Sequence, residues 1–281
     1  MRRTHQQRPD LPARTPQNRS EEATRRAAPR GFSLVELLVV MGIIALLASL
    51  LIPAIMRARN VAQSMTCLNN LRNLNQMAMN YAIDYDDRLP LAYYYVADEN
   101  KMYCWDVTTT GMAPDITYEP GMLWYAMDLG SADSAVHQCP EIEEGEPWTG
   151  EQYTGYNYNS SYLAGYALNI GGNITISHSV RLGMIKKPEE CAMFGDGEWS
   201  GGPNKFMRAP FGDKKGGDEG FTGRYAGTQG YRHMGKTNVV FADGHAVSWP
   251  ERHTESYPHE VPNIAEGTGF LSEDDELYDL Q

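Results

Sequence analysis

Polar residues fill the first thirty positions and then give way abruptly. From Gly31 to Ile55 the chain reads GFSLVELLVVMGIIALLASLLIPAI, and between Phe32 and Ile55 the sole formally charged side chain is Glu36. At about 1.5 Å per residue the run makes about 36 Å of helix, enough to cross the hydrocarbon core of a bilayer. Past Ile55 the pattern turns amphipathic. Val61, Met65, Leu68, Leu71, Leu74, Met77 and Tyr81 recur at three- and four-residue steps, with Arg57, Arg59, Gln63, Asn69, Asn70 and Arg72 between them. One long helix is therefore predicted to run through both parts and lay one face on a soluble domain. Pro53 removes a backbone hydrogen bond and crowds the preceding turn, which predicts a kink or loosening between Ala48 and Pro53. The string DYDDRLP is expected to end the helix between Asp84 and Arg88.

From Leu91 onward short apolar runs alternate with Tyr, Gly, Asn and Asp, the pattern of strands and loops. Met122 to Leu129 reads as a short helix, and Arg181 to Lys186 and Cys191 to Phe194 as short strands. Asn238 to Ala242 and His245 to Trp249 read as two strands joined by Asp243-Gly244. Asp-Gly between alternating residues is a strong hairpin signal, with both turn positions expected at positive φ. The tyrosines at 93, 94, 95, 153, 156, 158, 162 and 166 suggest either half-buried strands or a sugar platform, and packing is the commoner case. The predicted fold class is α+β: one long N-terminal helix, half membrane-spanning and half amphipathic, packed on a C-terminal antiparallel β-sheet domain with long loops. The expected organisation is a leader (1–31), an apolar helix (32–55), an amphipathic helix (56–88), a β-rich domain (89–252) and an acidic tail (253–281) that buries little.

Charge adds a direction. Residues 1–31 carry eight Arg against three acids, a net of +5, while the remainder has 16 basic and 33 acidic residues, a net of −17. The positive-inside rule puts the Arg-rich end in the cytoplasm and the rest beyond the membrane. The acidic remainder argues against a nucleic-acid partner, which needs clustered Lys and Arg. All four cysteines, Cys67, Cys104, Cys139 and Cys191, follow the apolar run, so an oxidising compartment would permit one or two disulfides in any of three connectivities. There is no CxxC pair or His-rich spacing, which favours a structural role for them over zinc. A weak calcium candidate is the loop GDKKGGDEG, with Asp213, Asp218 and Glu219. His233, Asp243 and His245 come with no nucleophile motif and no metal-protease spacing. A structural role is expected for them, no catalytic residue is assigned, and the protein is not expected to be an enzyme or to carry a cofactor.

The string RGFSLVELLVV resembles the processing site of type IV prepilins and type II secretion pseudopilins. The resemblance implies cleavage between Gly31 and Phe32 by a prepilin peptidase, N-methylation of Phe32, and a role for Glu36, the fifth residue after the cut, in assembly. A carboxylate one turn into the helix sits near the headgroups at modest cost before assembly. Buried among apolar helices it would need a counter-charge, and the α-amine of Phe32 on a neighbouring subunit is the one the resemblance implies. Further strings are similar to a planctomycete-type group of prepilin-like proteins: CLNNLRNL from Cys67, Cys139-Pro140, Tyr156-Asn157, KPEECAMFGD from Lys187, and His233, nine residues, Asp243-Gly244. The implied function is a structural subunit of a type II secretion or type IV pilus-like filament, single-pass in the inner membrane before assembly with its C-terminal domain periplasmic or extracellular. Other pilin-like subunits and an inner-membrane assembly platform are its implied partners. The alternative is a membrane-tethered, non-polymerising module that binds polysaccharide or protein cargo; a tethered hydrolase using His233 and Asp243 has the least support.

Overall fold

A computed structural model describes residues 33–111, 115–126, 138–142, 155–199, 202–211, 228–254 and 264–281. The leader with Gly31 and Phe32, Tyr153, and the calcium candidates Asp213, Asp218 and Glu219 lie outside the described residues. The chain divides into two compact units, Met1–Leu51 and Ile52–Gln281.

The helix α1, Leu34–Asp84, is assigned without interruption through Pro53 and ends where DYDDRLP predicted. In the first unit it is apolar all round. Every large side chain from Leu34 to Leu51 is exposed, Leu34 at 79% and Leu50 at 71%. A helix with no polar face has no soluble resting place of its own and calls for lipid or other apolar helices. By length and composition it is able to cross a membrane.

In the second unit the helix buries Ser64, Cys67, Leu68, Asn70, Leu71, Leu74, Asn75, Met77, Ala78 and Ala82. Leu71, Leu74 and Ala78 pack with Trp105, Leu123, Tyr158, Phe194 and Val240. The predicted stripe is corrected at its start: Val61 and Met65 are exposed, at 49% and 59%, while Ser64, Asn70 and Asn75 lie inside. Those three polar side chains are tolerated because each finds a partner. The Ser64 hydroxyl lies 3.4 Å from Asn238 Oδ1, and the Asn70 amide donates to Tyr156 Oη at 3.1 Å. Asn75 Nδ2 donates to the Phe241 carbonyl at 2.9 Å.

The β-strands form two sheets among the described residues. The first has six strands, β1 (Tyr93–Val96), β2 (Lys101–Cys104), β3 (Val107–Thr110), β4 (Thr117–Pro120), β6 (Tyr166–Ile170) and β7 (Asn173–Ser177), in the order β4-β3-β2-β1-β6-β7. The second is organised on β8 (Ala192–Trp199), which pairs with β5 (Tyr156–Asn159), β9 (Gly202–Pro203), β11 (Thr228–Gly230) and β12 (Thr237–Phe241). Beyond these lie β10 (Phe206–Met207) on β5, β13 (Ala246–Trp249) on β12 and β14 (Thr268–Gly269) on β11. The pairing is mixed and not purely antiparallel as expected, since β1 runs parallel to β6 and β10 parallel to β5. The short helix expected at Met122 is α2, Met122–Ala126. Arg181 to Lys186 is no strand: Arg181 makes one bridge to Arg88 and Leu182–Met184 form a 3-10 turn.

The tyrosines pack. Tyr156 and Tyr158 are fully buried, Tyr158 stacks on Phe194 with centroids 4.7 Å apart, and Tyr93 stacks on Tyr166 at 5.7 Å.

The acidic C-terminus is likewise corrected. Residues 264–281 are built into the domain: Leu271 and Tyr278 are fully buried in a second cluster with Met207, Val239 and Phe241. Their backbone is held as well, Asn159 Nδ2 donating to the Tyr278 carbonyl at 2.8 Å and Trp249 Nε1 to that of Leu271 at 3.0 Å. The acids at 273, 274 and 276 point outward while Phe270, Leu271 and Tyr278 point in. A count of charges hides that alternation.

Candidate functional site

The first residues of α1 carry the one acid among the described residues of the first unit, and its carboxylate has a local task. Ser33 precedes the helix, and its backbone N–H donates to Glu36 Oε2 at 2.8 Å, while the Glu36 N–H donates to Ser33 Oγ at 3.3 Å. This reciprocal pair is a capping box, which satisfies two backbone donors that the helix start would otherwise leave free. Glu36 therefore fixes where the helix begins, two residues after the predicted cut. The S-x-x-E spacing carried that signal in the sequence.

The second constellation is interior. Asp196 lies on β8, beside the strand partner Asn238 whose backbone N–H donates to Asp196 Oδ2 at 2.7 Å. His233 opens a tight hairpin turn, its N–H bonded to the Lys236 carbonyl at 3.1 Å and returned by Lys236 N–H to the His233 carbonyl at 3.1 Å. The two central residues, Met234 at φ 54° and Gly235 at φ 76°, both take the left-handed conformation that mirror-image turns need. Cys67 comes from the middle of α1 and Cys139 from the segment 138–142. These elements bring Cys67, Cys139, Asp196 and His233 together, one donor atom from each within 4.8 Å of the others, and all four are buried. Cys67 Sγ donates to Asp196 Oδ1 at 3.1 Å; His233 Nε2 lies 3.3 Å from Cys139 Sγ and 3.3 Å from Asp196 Oδ2.

Charges around the cluster are complementary. Arg232 Nη2 approaches Asp196 Oδ1 at 3.6 Å while its Nη1 binds Glu198 at 2.9 Å. His233 Nδ1 faces the Glu141 carboxylate at 3.4 Å. Burial opposes ionisation of Asp196, yet Arg232 and His233 outweigh it and hold the carboxyl below its usual range. Burial disfavours the charged His233, and its bonds to Asp196 and Cys139 overcome this, pushing it up to about 10. The Cys67 hydrogen bond draws Cys139 down to about 6 against its burial, with His233 helping, whereas burial pushes Cys67 up.

His233 and Asp243, the ends of the H-x9-D-G string, do different things. His233 is 1% exposed inside the cluster, whereas Asp243 sits at the far end of β12, accepting from His245 N–H at 3.0 Å and contacting His245 Nδ1 at 2.6 Å. The hairpin exists where the sequence put it, but its turn differs. Gly244 alone is left-handed, at φ 91°, and its N–H donates to the Phe241 carbonyl at 2.9 Å while Phe241 N–H reaches the His245 carbonyl at 2.9 Å. That is a three-residue loop closed by glycine, which leaves Asp243 outside the left-handed region.

None of the four cysteines forms a disulfide in this structure, where the sequence allowed one or two. Cys67 and Cys139 face Asp196 and His233, Cys104 ends β2, and Cys191 next to β8 contacts the Tyr278 carbonyl at 3.5 Å. Asp196 is the member of the cluster that sequence reasoning missed. It stood in the string KPEECAMFGD, but nothing in its neighbours linked it to positions 67, 139 or 233.

A family model described as the prokaryotic N-terminal methylation motif matches residues 26–52. No curated protein and no solved structure matches the chain. The matched segment covers the predicted cut, Phe32 and Glu36, and stops short of both the cysteine–histidine cluster and the H-x9-D-G string. The motif implies processing by a prepilin peptidase and association with a membrane. Through that segment, with its capped apolar helix leading into a β-rich domain, the chain is similar to type IV prepilins and pseudopilins.

Proposed function

We propose that the protein is a structural subunit of a type II secretion or type IV pilus-like filament, anchored in the inner membrane by the first part of α1 until it is assembled. Prepilin peptidase cuts between Gly31 and Phe32, Phe32 becomes the methylated N-terminus, and the folded domain stands on the periplasmic or extracellular side. The observation that carries this reading is the apolar surface of α1 from Leu34 to Leu51, exposed on all sides, with Glu36 its one charged side chain. Such a surface is equally satisfied by lipid and by a bundle of identical helices, so one segment serves both the stored and the assembled state. Glu36 makes the bundle directional, because its carboxylate seeks a cation among apolar neighbours and the amine of Phe32 on the next subunit supplies one. A non-catalytic role fits the separation of His233, which is interior, from Asp243, which is on an exposed turn.

Filament recovery tests the proposal. Cells expressing the chain are sheared and the supernatant is sedimented and imaged. Filaments that contain the chain are the expected result. A processed chain found only as membrane-bound monomer would favour the tethered binding module instead.

A further inference from the structure

We propose that Cys67, Cys139, Asp196 and His233 form a structural zinc site at the heart of the β-domain. The donor set is two thiolates, one imidazole and one carboxylate, all of which zinc accepts, and their number is four, as closed structural sites require. The spacing already suits the ion. With zinc–ligand bonds of about 2.0–2.3 Å, the edges of a tetrahedral site are about 3.3–3.8 Å. Cys67 Sγ to Asp196 Oδ1 is 3.1 Å and Cys139 Sγ to His233 Nε2 is 3.3 Å, and the four donor atoms all lie within 4.8 Å of one another, so ligation needs only modest shifts.

The surroundings are those of a ligand shell. Asn238 N–H fixes Asp196 Oδ2, leaving Oδ1 turned toward Cys67 for the metal. His233 presents Nε2 to the cluster and Nδ1 to Glu141, the arrangement by which a carboxylate orients a metal-bound imidazole. His233 Nδ1 is buried without a hydrogen bond, a want that a proton directed at Glu141 would supply once Nε2 carries the metal. Two thiolates, a carboxylate and Zn²⁺ sum to one negative charge, and Arg232, at 3.6 Å from Asp196, offsets it. The ligands come from α1, the 138–142 segment, β8 and the turn after β11, so one ion ties together four stretches far apart in sequence. Ligation would also hold the two neighbouring thiols reduced in an oxidising compartment.

The site is independent of polymerisation and is tested on the full-length chain purified in detergent without chelator. Metal analysis is expected to find about one zinc per chain, and cobalt substitution to give a tetrahedral ligand-field spectrum with a thiolate charge-transfer band for two sulfurs. Chelation is expected to lower the melting temperature, and added zinc to restore it. Cys67→Ser and Cys139→Ser should lose the metal while Cys104→Ser keeps it; Cys139→His, which preserves a zinc ligand, should keep it too. If the cysteine variants fail to fold, the wild-type cobalt spectrum decides alone. A folded, reduced wild-type chain that takes up neither zinc nor cobalt stoichiometrically overturns the proposal, as does a Cys67–Cys139 disulfide in the freshly isolated protein.

Discussion

Glu36 has two jobs in this account, and a pair of substitutions separates them. Locally it caps α1, with Ser33 N–H on its carboxylate at 2.8 Å and its own N–H on Ser33 Oγ at 3.3 Å. In the proposed filament it is the counter-charge to a neighbouring Phe32 amine. Glu36→Gln keeps an acceptor oxygen at the position where capping boxes use Glu or Gln, so the helix start should be retained within about 0.5 kcal/mol. Ser33→Ala removes the cap oxygen, at a cost of about 1 kcal/mol, but leaves the charge. A charge-assisted hydrogen bond among apolar helices is worth about 1.5–3 kcal/mol, which corresponds to a roughly tenfold to more than hundredfold loss of subunit association. The assay is sheared-filament yield at matched membrane levels of processed protein. Glu36→Gln should be processed normally and yield less than about a tenth of the wild-type filament, while Ser33→Ala stays within about fivefold of wild type. A loss from Glu36→Gln no larger than that from Ser33→Ala, or wild-type yield from Glu36→Gln, would remove the charge's role in assembly.

Three further outcomes check the domain. Leu74→Ala, at a fully buried position, should cost about 2–5 kcal/mol by chemical denaturation, whereas Met65→Ala, 59% exposed, should stay within about 0.5 kcal/mol. Tyr278→Ala should destabilise by about 3–5 kcal/mol, since the ring is fully buried and its hydroxyl accepts from Leu271 N–H at 2.7 Å; an effect below about 0.5 kcal/mol would return the C-terminus to the status of a tail. Met234, exposed and held at φ 54°, occupies a turn position that favours Asn or Gly, so Met234→Asn should raise the melting temperature by the equivalent of about 1 kcal/mol.

What the sequence made legible was what is local. The apolar run, the end of α1 at Asp84, α2, and the strands on either side of Asp243-Gly244 all follow from spacing and turn chemistry within a few residues. The errors share a cause. Asn70 falls among the polar positions of the helix pattern, but its partner Tyr156 is 86 residues away, and Ser64 and Asn75, also polar, are buried against Asn238 and Phe241, 174 and 166 residues away. The acids of the C-terminus predict a tail that buries little, though Leu271 and Tyr278 contribute to the core. The Cys67–Cys139–Asp196–His233 cluster draws on four segments with no shared spacing, so no linear motif betrays it. The capping box is the opposite case, local and readable, and obscured by the attention a lone acid in an apolar run attracts.

The central claim is that this chain is processed as a prepilin, and the mass of its mature N-terminus tests that most directly. Intact-mass and N-terminal peptide analysis of protein extracted from membranes should find a chain beginning at Phe32 with one methyl group on its amine. A chain that still begins at Met1, or one cut elsewhere than after Gly31, would contradict the account.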